Sequence, residues 1–164
     1  MSTTTAEKKA ILVITAEDLR QHWQGHRRLT RRVMEAFPEK EFFEFSIGKM
    51  RPPVELMKEL LAIAAPGLRE MVLGAQEALN EHFDHQNSKQ RMLDLWDEAT
   101  EEIDALWKLI PEDMFRRDIL AFGMYPGTGW SSVMYFIDNE IHHRGQAYVY
   151  LRALGIEPPF FWEK

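Results

Sequence analysis

Apolar residues recur along this chain at the three- and four-residue spacings of amphipathic helices, in four separate stretches. The first stretch begins after Thr15, a predicted N-cap with Asp18 three residues later, and ends before Pro38. The second follows Pro52 and Pro53, which suit a first helical turn. The pattern predicts four long helices around one core.

The remaining helix ends are marked by prolines, glycines and capping residues. Pro66-Gly67 is expected to break or kink the second helix, which then resumes from Leu68 to Leu79. A polar connection over residues 80–88 leads to a third helix, capped by Asn87 or Ser88 and ending near residue 109. The fourth helix is expected from about residue 130 to residue 154, where a glycine and two prolines follow.

Three segments fall outside this helical pattern. Ala10–Ile14 is aliphatic and β-branched, which predicts a short extended segment laid on the core. Residues 41–47 alternate weakly, as in a loop or short strand. Residues 111–129 predict a long surface crossover before the last helix. Its aromatic residues either shape a small apolar pocket at the mouth of the bundle or only close the core, and we favour closure; they are Phe122, Tyr125 and Trp130.

The composition narrows the classes of function. The 164 residues suit a single domain over residues 1–164, with residues 1–9 expected to be flexible. A net charge of -6 argues against nucleic-acid binding. With no cysteine, any site must use histidine, carboxylate, amide or hydroxyl groups. The longest apolar run is too short to cross a membrane, so we expect a cytoplasmic protein with no membrane partner.

The most informative segment is IDNEIHHRGQAYVYLRALGIEPP, which spans residues 137–159. It resembles the last bundle helix of the DinB/YfiT-like family. The stretches HWQGHRRLTRRVMEAFPE and WDEATEEIDALWKLIP support the resemblance, which extends over about residues 10–160. It implies an all-α four-helix bundle in up-down-down-up order, a bacterial source and a homodimer. Family members of known activity include metal-dependent thiol transferases and isomerases.

The resemblance also implies a metal site, which this sequence matches only in part. The family binds a divalent metal through one histidine of the second helix and an H-x-x-x-H pair of the last helix. The second member of that pair corresponds to His143, but the position four residues earlier is Asn139. Residues 54–65 contain no histidine. Because an amide oxygen binds Zn or Ni more weakly than an imidazole does, the usual metal chemistry cannot be assumed.

Asn139 and His143 share one face of the last predicted helix with Gln146 and Tyr150. If this polar column faces the interior it needs partners, and His26 lies on the inner line of the first helix. His26 is expected to hydrogen-bond His143 or Asn139, or to replace a lost ligand. The candidate metal residues are therefore His143, Asn139 and His26, and the alternative is that the histidines are hydrogen-bonded and inert.

Other polar pairs carry weaker signals. His22 and His26 form a second H-x-x-x-H spacing, which arises easily by chance. Glu140 and Arg144 are expected to form an exposed ion pair. His82 and His85 lie in the polar connection and are expected to be exposed.

Two functions fit these observations. The favoured one is a binding or structural protein that kept the bundle and its dimer, with a degenerate or altered metal site and a possible small-molecule ligand. The alternative is a metal-dependent transferase or hydrolase that acts with a low-molecular-weight thiol, in which a bound ion generates a nucleophile near neutral pH.

Overall fold

The computed structural model describes residues 13–164, so the prediction for residues 1–9 and most of the Ala10–Ile14 segment lie outside the described residues. Its elements in chain order are α1 (Ala16–Ala36), α2 (Glu39–Glu44), α3 (Pro53–Leu73), α4 (Lys89–Trp107), a 3₁₀ turn (Met114–Arg116), β1 (Asp118–Ala121), β2 (Tyr125–Thr128) and α5 (Gly129–Ala153). The four long helices predicted from the apolar spacing are α1, α3, α4 and α5.

Local capping chemistry places the starts of three of these helices. The Thr15 side chain accepts a hydrogen bond from the Asp18 backbone N–H, and the Asp18 carboxylate accepts from the Thr15 backbone N–H. Ser88 caps α4, and Thr128 caps α5 together with Ser131. Each cap satisfies backbone N–H groups that have no partner within the helix. The predicted caps at Thr15 and Ser88 are confirmed.

The long helices pack as a bundle in which α1 contacts α4 and α5, and α3 also contacts α4 and α5. The core has two layers. One layer joins the start of α1 to the ends of α3 and α4 and the start of α5, through Leu19, Trp23, Leu68, Ile103 and Phe136 among others. The second joins the end of α1 to the starts of α3 and α4 and the end of α5, through Val33, Met57, Leu60, Trp96 and Leu151 among others.

Helix α3 differs from the prediction at its C-terminus, and of the break or kink expected at Pro66-Gly67 the break is wrong. It continues through Pro66 without a break, because burial of side chains on both sides of the proline outweighs one lost backbone hydrogen bond. It then ends at Leu73 and does not reach Leu79. Gly74 ends it in the left-handed conformation, with φ 72° and a hydrogen bond to the Glu70 carbonyl.

The loop or short strand expected over residues 41–47 is wrong for residues 41–44, which lie in α2 (Glu39–Glu44), whereas residues 45–47 lie outside helix and strand. Phe42 is fully buried and its ring lies 6.1 Å from that of Phe37. A single inward aromatic is enough to dock a short helix, and such a contact leaves no periodic signal in the sequence.

The crossover over residues 111–129 contains a β-hairpin, so the all-α prediction was incomplete. β1 and β2 pair antiparallel, with Asp118 opposite Thr128 and Ala121 opposite Tyr125. The turn between them uses positive φ angles at Phe122 and Gly123. The Phe122 ring is buried in the first core layer, so the hairpin closes that end of the bundle.

The N-terminal segment does not pack as expected in the part that the structure describes. Val13 is 91% exposed and Ile14 is 41% exposed, and neither lies in regular structure. None of the helices over residues 13–164 is long and apolar enough to span a bilayer. Exposed apolar side chains do lie along α5, at Tyr135, Ile141 and Val149, and the homodimer stays a prediction.

Two glycines in the long helices provide a matched test of the packing. A Cβ at Gly67 would lie 2.4 Å from the Phe136 ring, whereas a Cβ at Gly145 would meet nothing within 4 Å. We expect Gly67→Ala to lower the free energy of unfolding by about 1–3 kcal/mol, because α3 and α5 must separate. Gly145→Ala should raise it by about 0.5–1 kcal/mol.

Urea unfolding of the two variants measures both effects against the wild type. Equal effects of the two substitutions would contradict the close approach of α3 and α5 at Gly67.

Candidate functional site

Helix α5 carries polar side chains on two of its buried faces. Asn139, His143 and Tyr150 lie on the face that meets α3, while Glu140 and Arg144 lie on the face that meets α1. All five residues are buried. The expected ion pair of Glu140 and Arg144 is present at 3.6 Å, but its expected exposure is wrong. Position 140 follows position 139 by about 100° around the helix and still points inward.

On the α3 side, His143 meets a carboxylate. Its Nε2 lies 2.9 Å from Oε1 of Glu59, and the other carboxylate oxygen of Glu59 accepts a hydrogen bond from Arg51. The Tyr150 hydroxyl donates to the Arg51 carbonyl at 2.8 Å. Burial raises the pKa of Glu59, but the hydrogen bonds from Arg51 and His143 outweigh it and hold the pKa below its usual value.

Two nitrogens beside this pair have no partner among the described residues. They are Nδ1 of His143 and Nδ2 of Asn139, and both are buried. When Nε2 carries the ring proton and donates a hydrogen bond to the ionised Glu59, Nδ1 is an acceptor. The Asn139 amide nitrogen is a donor. A small hydroxyl group could satisfy either nitrogen, whereas a carbonyl group could satisfy only the Asn139 amide.

On the α1 side, Glu140 lies in a network of buried charges. Its Oε1 accepts a hydrogen bond of 2.6 Å from the Thr30 hydroxyl and lies 3.6 Å from Nη1 of Arg144. Its Oε2 lies 3.9 Å from Nη1 of Arg27, which is 1% exposed. Burial raises the pKa of Glu140, and the two arginines and Thr30 oppose that rise.

Arg27 extends the network to α4. Its guanidinium stacks on the Trp96 ring at 3.5 Å and donates to the Thr100 hydroxyl at 2.9 Å and the Trp96 carbonyl at 3.1 Å. The Trp96 indole N–H donates back to the Arg27 carbonyl. Burial lowers the pKa of Arg27 to about 10, so the group remains charged at neutral pH. One arginine thus connects α1, α4 and α5.

His26 is buried as predicted, but its partners are not those expected. Its Nδ1 lies 2.8 Å from Nη2 of Arg144, and its Nε2 lies 3.1 Å from Nε2 of His22. Both ring nitrogens are therefore occupied by residues other than His143 and Asn139. The reason is the position of His26 against the α1-facing side of α5, whereas His143 and Asn139 face α3.

This arrangement does not fit a three-ligand metal site. Among residues 13–164, no group of three or more histidine, aspartate or glutamate side chains is placed to hold an ion. His143 and Glu59 form a pair, and Asn139 adds only an amide. His22 and His26 form another pair, with Arg144 as the neighbouring charge. A zinc site needs three or four such ligands converging on one point.

A cavity of about 270 Å³ lies further along α5, towards its N-terminus. It is lined mostly by apolar and aromatic side chains with four hydroxyl groups: Ile63, Leu79, Ala121, Phe122, Tyr125, Pro126, Ser131, Ser132, Tyr135 and Phe136. The less favoured alternative, a pocket beside Phe122 and Tyr125, is therefore present, while the Phe122 ring also closes the core. Trp130 instead lines a separate surface cavity with Leu19 and Phe115.

Tyr135 links this cavity to the His143–Glu59 pair. Burial raises the pKa of Tyr135, and the negative charge of Glu59 raises it further. The phenol therefore stays neutral and keeps its proton for donation. The charge of Glu59 thus acts on one wall of the cavity, although neither Glu59 nor His143 lines it.

Comparison with known proteins agrees with this fold. A family model described as "DinB family" matches residues 1–163. The chain belongs to the DinB family. The resemblance inferred from the histidine-rich helix is thereby confirmed.

Solved DinB-like structures superpose over most of the chain. A DinB-like protein of Bacillus subtilis, YjoA, is 22% identical, with a TM-score of 0.68 over 87% of this chain and 96% of that one. A DinB-like protein of Bacillus cereus ATCC 10987 is 17% identical, with a TM-score of 0.68 over 87% and 95%. At these identities the likeness establishes the mostly helical fold.

A third structure, a mycothiol-dependent maleylpyruvate isomerase, is 12% identical, with a TM-score of 0.61 over 80% of this chain and 60% of that one. It shares the fold, and this chain matches less than two thirds of its length. No curated protein matches the chain.

Sequence reasoning missed Glu59 because it considered only histidine as a ligand on the second long helix. A signal was available: residues 54–65 contain two glutamates, and Glu59 is followed one turn later by the apolar Ile63. It also missed the buried network, since Glu140 and Arg144 have the spacing of an ordinary exposed pair. Nothing local distinguishes the two cases.

The buried network predicts a large effect from one isosteric change. Glu140→Gln should lower the free energy of unfolding by about 3–5 kcal/mol, because it leaves Arg27 and Arg144 buried without a countercharge. Glu35→Gln removes an exposed partner of Arg31 and should change the free energy of unfolding by less than about 1 kcal/mol. Urea unfolding at pH 7 measures both, and similar small effects would contradict the network.

His26 predicts a pH dependence of stability. Burial lowers its pKa to about 3, aided by the positive charges of Arg144 and Lys164 and by His22. Below a pH of about 6.5 the unfolded chain binds a proton that the folded chain does not, so folding loses stability as the pH falls. The loss is about 1.4 kcal/mol per pH unit from about pH 6.5 down to about pH 3.

His26→Gln removes this titration. The difference in unfolding free energy between wild type and variant should therefore shrink below about pH 6.5 with that slope. Denaturant unfolding at several pH values from 7 to 5 measures it, and parallel curves would show that His26 is not held neutral by the fold.

Proposed function

We propose that this chain is a DinB-family binding protein that acts without a bound divalent metal. The observation that carries the proposal is the hydrogen bond of 2.9 Å between His143 Nε2 and Glu59. The imidazole nitrogen that the family would offer to a metal is here shared with a carboxylate that Arg51 also holds. Asn139 takes the place of the second histidine.

The ligand would lie between this pair and the cavity under the hairpin. The walls are largely apolar, and their polar groups are the hydroxyls of Tyr125, Ser131, Ser132 and Tyr135. The charged residue that affects the pKa of the Tyr135 phenol is Glu59, which is acidic. A small, neutral, mostly apolar molecule with one hydroxyl or carbonyl group fits this chemistry.

The two core layers support the up-down-down-up helix order of the family. The layer that contains the end of α1 also contains the starts of α3 and α4 and the end of α5. The alternative function, a metal-dependent transferase or hydrolase acting with a low-molecular-weight thiol, rests on family resemblance. It would require ligands beyond the His143–Glu59 pair.

Metal analysis tests the proposal directly. Protein purified without a histidine tag and incubated with Zn²⁺ or Ni²⁺ at pH 7.5 should retain less than about 0.1 ion per chain after dialysis. His143→Ala should retain no less than the wild type. His142→Ala is the matched control, because His142 is the exposed neighbour and bonds only Gln146 among the described residues.

One ion per chain that is lost in His143→Ala and kept in His142→Ala would overturn the proposal and favour the metal-dependent transferase.

Calorimetry with para-cresol, a small neutral probe, tests whether the cavity binds a ligand. Ser132→Leu, which fills the cavity, should abolish binding that Ser132→Ala retains. If Ser132→Leu leaves para-cresol binding unchanged, the proposed location of the ligand in this cavity is wrong.

A further inference from the structure

A second cavity lies on the other side of α5 from His143. It has a volume of about 400 Å³ and lies between α5, His26 of α1 and the last residues of the chain, 159–164. Its position separates it from the Glu59 site, since Arg144 lines it and His143 does not. Its chemistry also differs, because cationic and aromatic side chains predominate.

The floor of this cavity is a buried guanidinium. Arg144 is 5% exposed, and its inner side donates to Thr30 at 2.9 Å and to the His26 carbonyl at 3.3 Å. Its Nη2 lies 2.8 Å from Nδ1 of His26, which is held neutral by its low pKa. Nε of Arg144 makes no hydrogen bond to residues 13–164, so a donor remains for an incoming acceptor.

Further positive charge lies at the walls. Arg152 and Lys164 line the cavity, and within residues 13–164 neither side chain has a carboxylate within 4 Å. No aspartate or glutamate is among the lining residues. The pKa values of His22 and His26, lowered by burial and by Lys164, are consistent with a positive potential here.

The walls are also aromatic. The rings of Phe160 and Trp162 are stacked, with centroids 4.7 Å apart and planes 10° apart, and both are about half exposed or more. Tyr148 forms another wall, and Arg152 lies 5.7 Å from the centre of its ring. The Tyr148 hydroxyl is buried and has no partner among the described residues. Flat apolar walls above a guanidinium suit a flat ligand.

We propose that this cavity binds a small aromatic carboxylate. The carboxylate would pair with Arg152 and with the buried Arg144, and the ring would pack against Tyr148, Phe160 and Trp162. The charged lining side chains are Arg144, Arg152 and Lys164, and all three are cations, so charge selects an anion. The countercharge of Arg144, Glu140, lies 3.6 Å away on its inner side and does not line the cavity. The aromatic walls select a ring over a simple inorganic ion. This site is independent of the neutral-ligand site beside His143.

The test uses 2-naphthoate as the probe, measured by calorimetry on the full chain at pH 7.5. The neutral 2-naphthamide has the same ring without the charge, and inorganic phosphate has charge without a ring. We expect 2-naphthoate to bind at one per chain, about tenfold more tightly than either. Added salt should weaken its binding.

Arg152→Gln should weaken 2-naphthoate binding by about fivefold, and Arg152→Lys should restore most of it. Arg152 is exposed, so neither change should impair folding. Arg91→Gln is the matched control, since it removes the same charge on α4 from a residue that pairs with Glu98.

Equal binding of 2-naphthoate and 2-naphthamide would overturn the proposal, as would binding that Arg152→Gln leaves unchanged or no binding at millimolar concentration. If phosphate binds as tightly as 2-naphthoate, the proposal that the aromatic walls select a ring is wrong. His143→Ala should not change 2-naphthoate affinity, so failure here is distinguishable from failure at the His143 site.

Discussion

The buried carboxylate of Glu140 is the interaction on which the arrangement of α5 depends. It lies between the guanidinium groups of Arg27 and Arg144 and accepts a short hydrogen bond from Thr30. A buried charge without its partners is several kcal/mol less favourable than a paired one. Rotating α5 by one residue would separate these charges, so the network sets the rotation of this helix against α1 and, through Trp96, against α4.

The two candidate sites follow from that rotation. With Glu140 and Arg144 directed at α1, Asn139 and His143 must face α3, where Glu59 approaches the imidazole. The same geometry places Arg144 at the floor of the aromatic cavity beside the C-terminal residues. One helix thereby presents a neutral, mostly apolar site on one side and a cationic, aromatic site on the other.

The helices and their caps could be predicted because their signals are local. The caps at Thr15, with Asp18, and at Ser88, before Lys89, satisfy backbone groups within one turn. Such caps can be predicted because the residues that form them are neighbours in the sequence. The short helix docked by Phe42, the hairpin under Phe122 and the continuation of α3 through Pro66 could not be predicted in the same way. Each is stabilised by contacts with residues far along the chain, and those contacts outweigh the local preference.

The sequence by itself determined the family, the four long helices and the inward position of His26, because apolar periodicity and a family-specific histidine segment require no knowledge of neighbours. From the resemblance it also predicted that two of the three family ligand positions lack histidine. Only the tertiary structure decided which side chains meet His143 and His26. Glu59 is 84 residues from His143, and Arg144 is 118 residues from His26, so no spacing in the chain reveals either contact. Which buried charges meet is a property of packing, since helices juxtapose residues that sequence distance keeps apart.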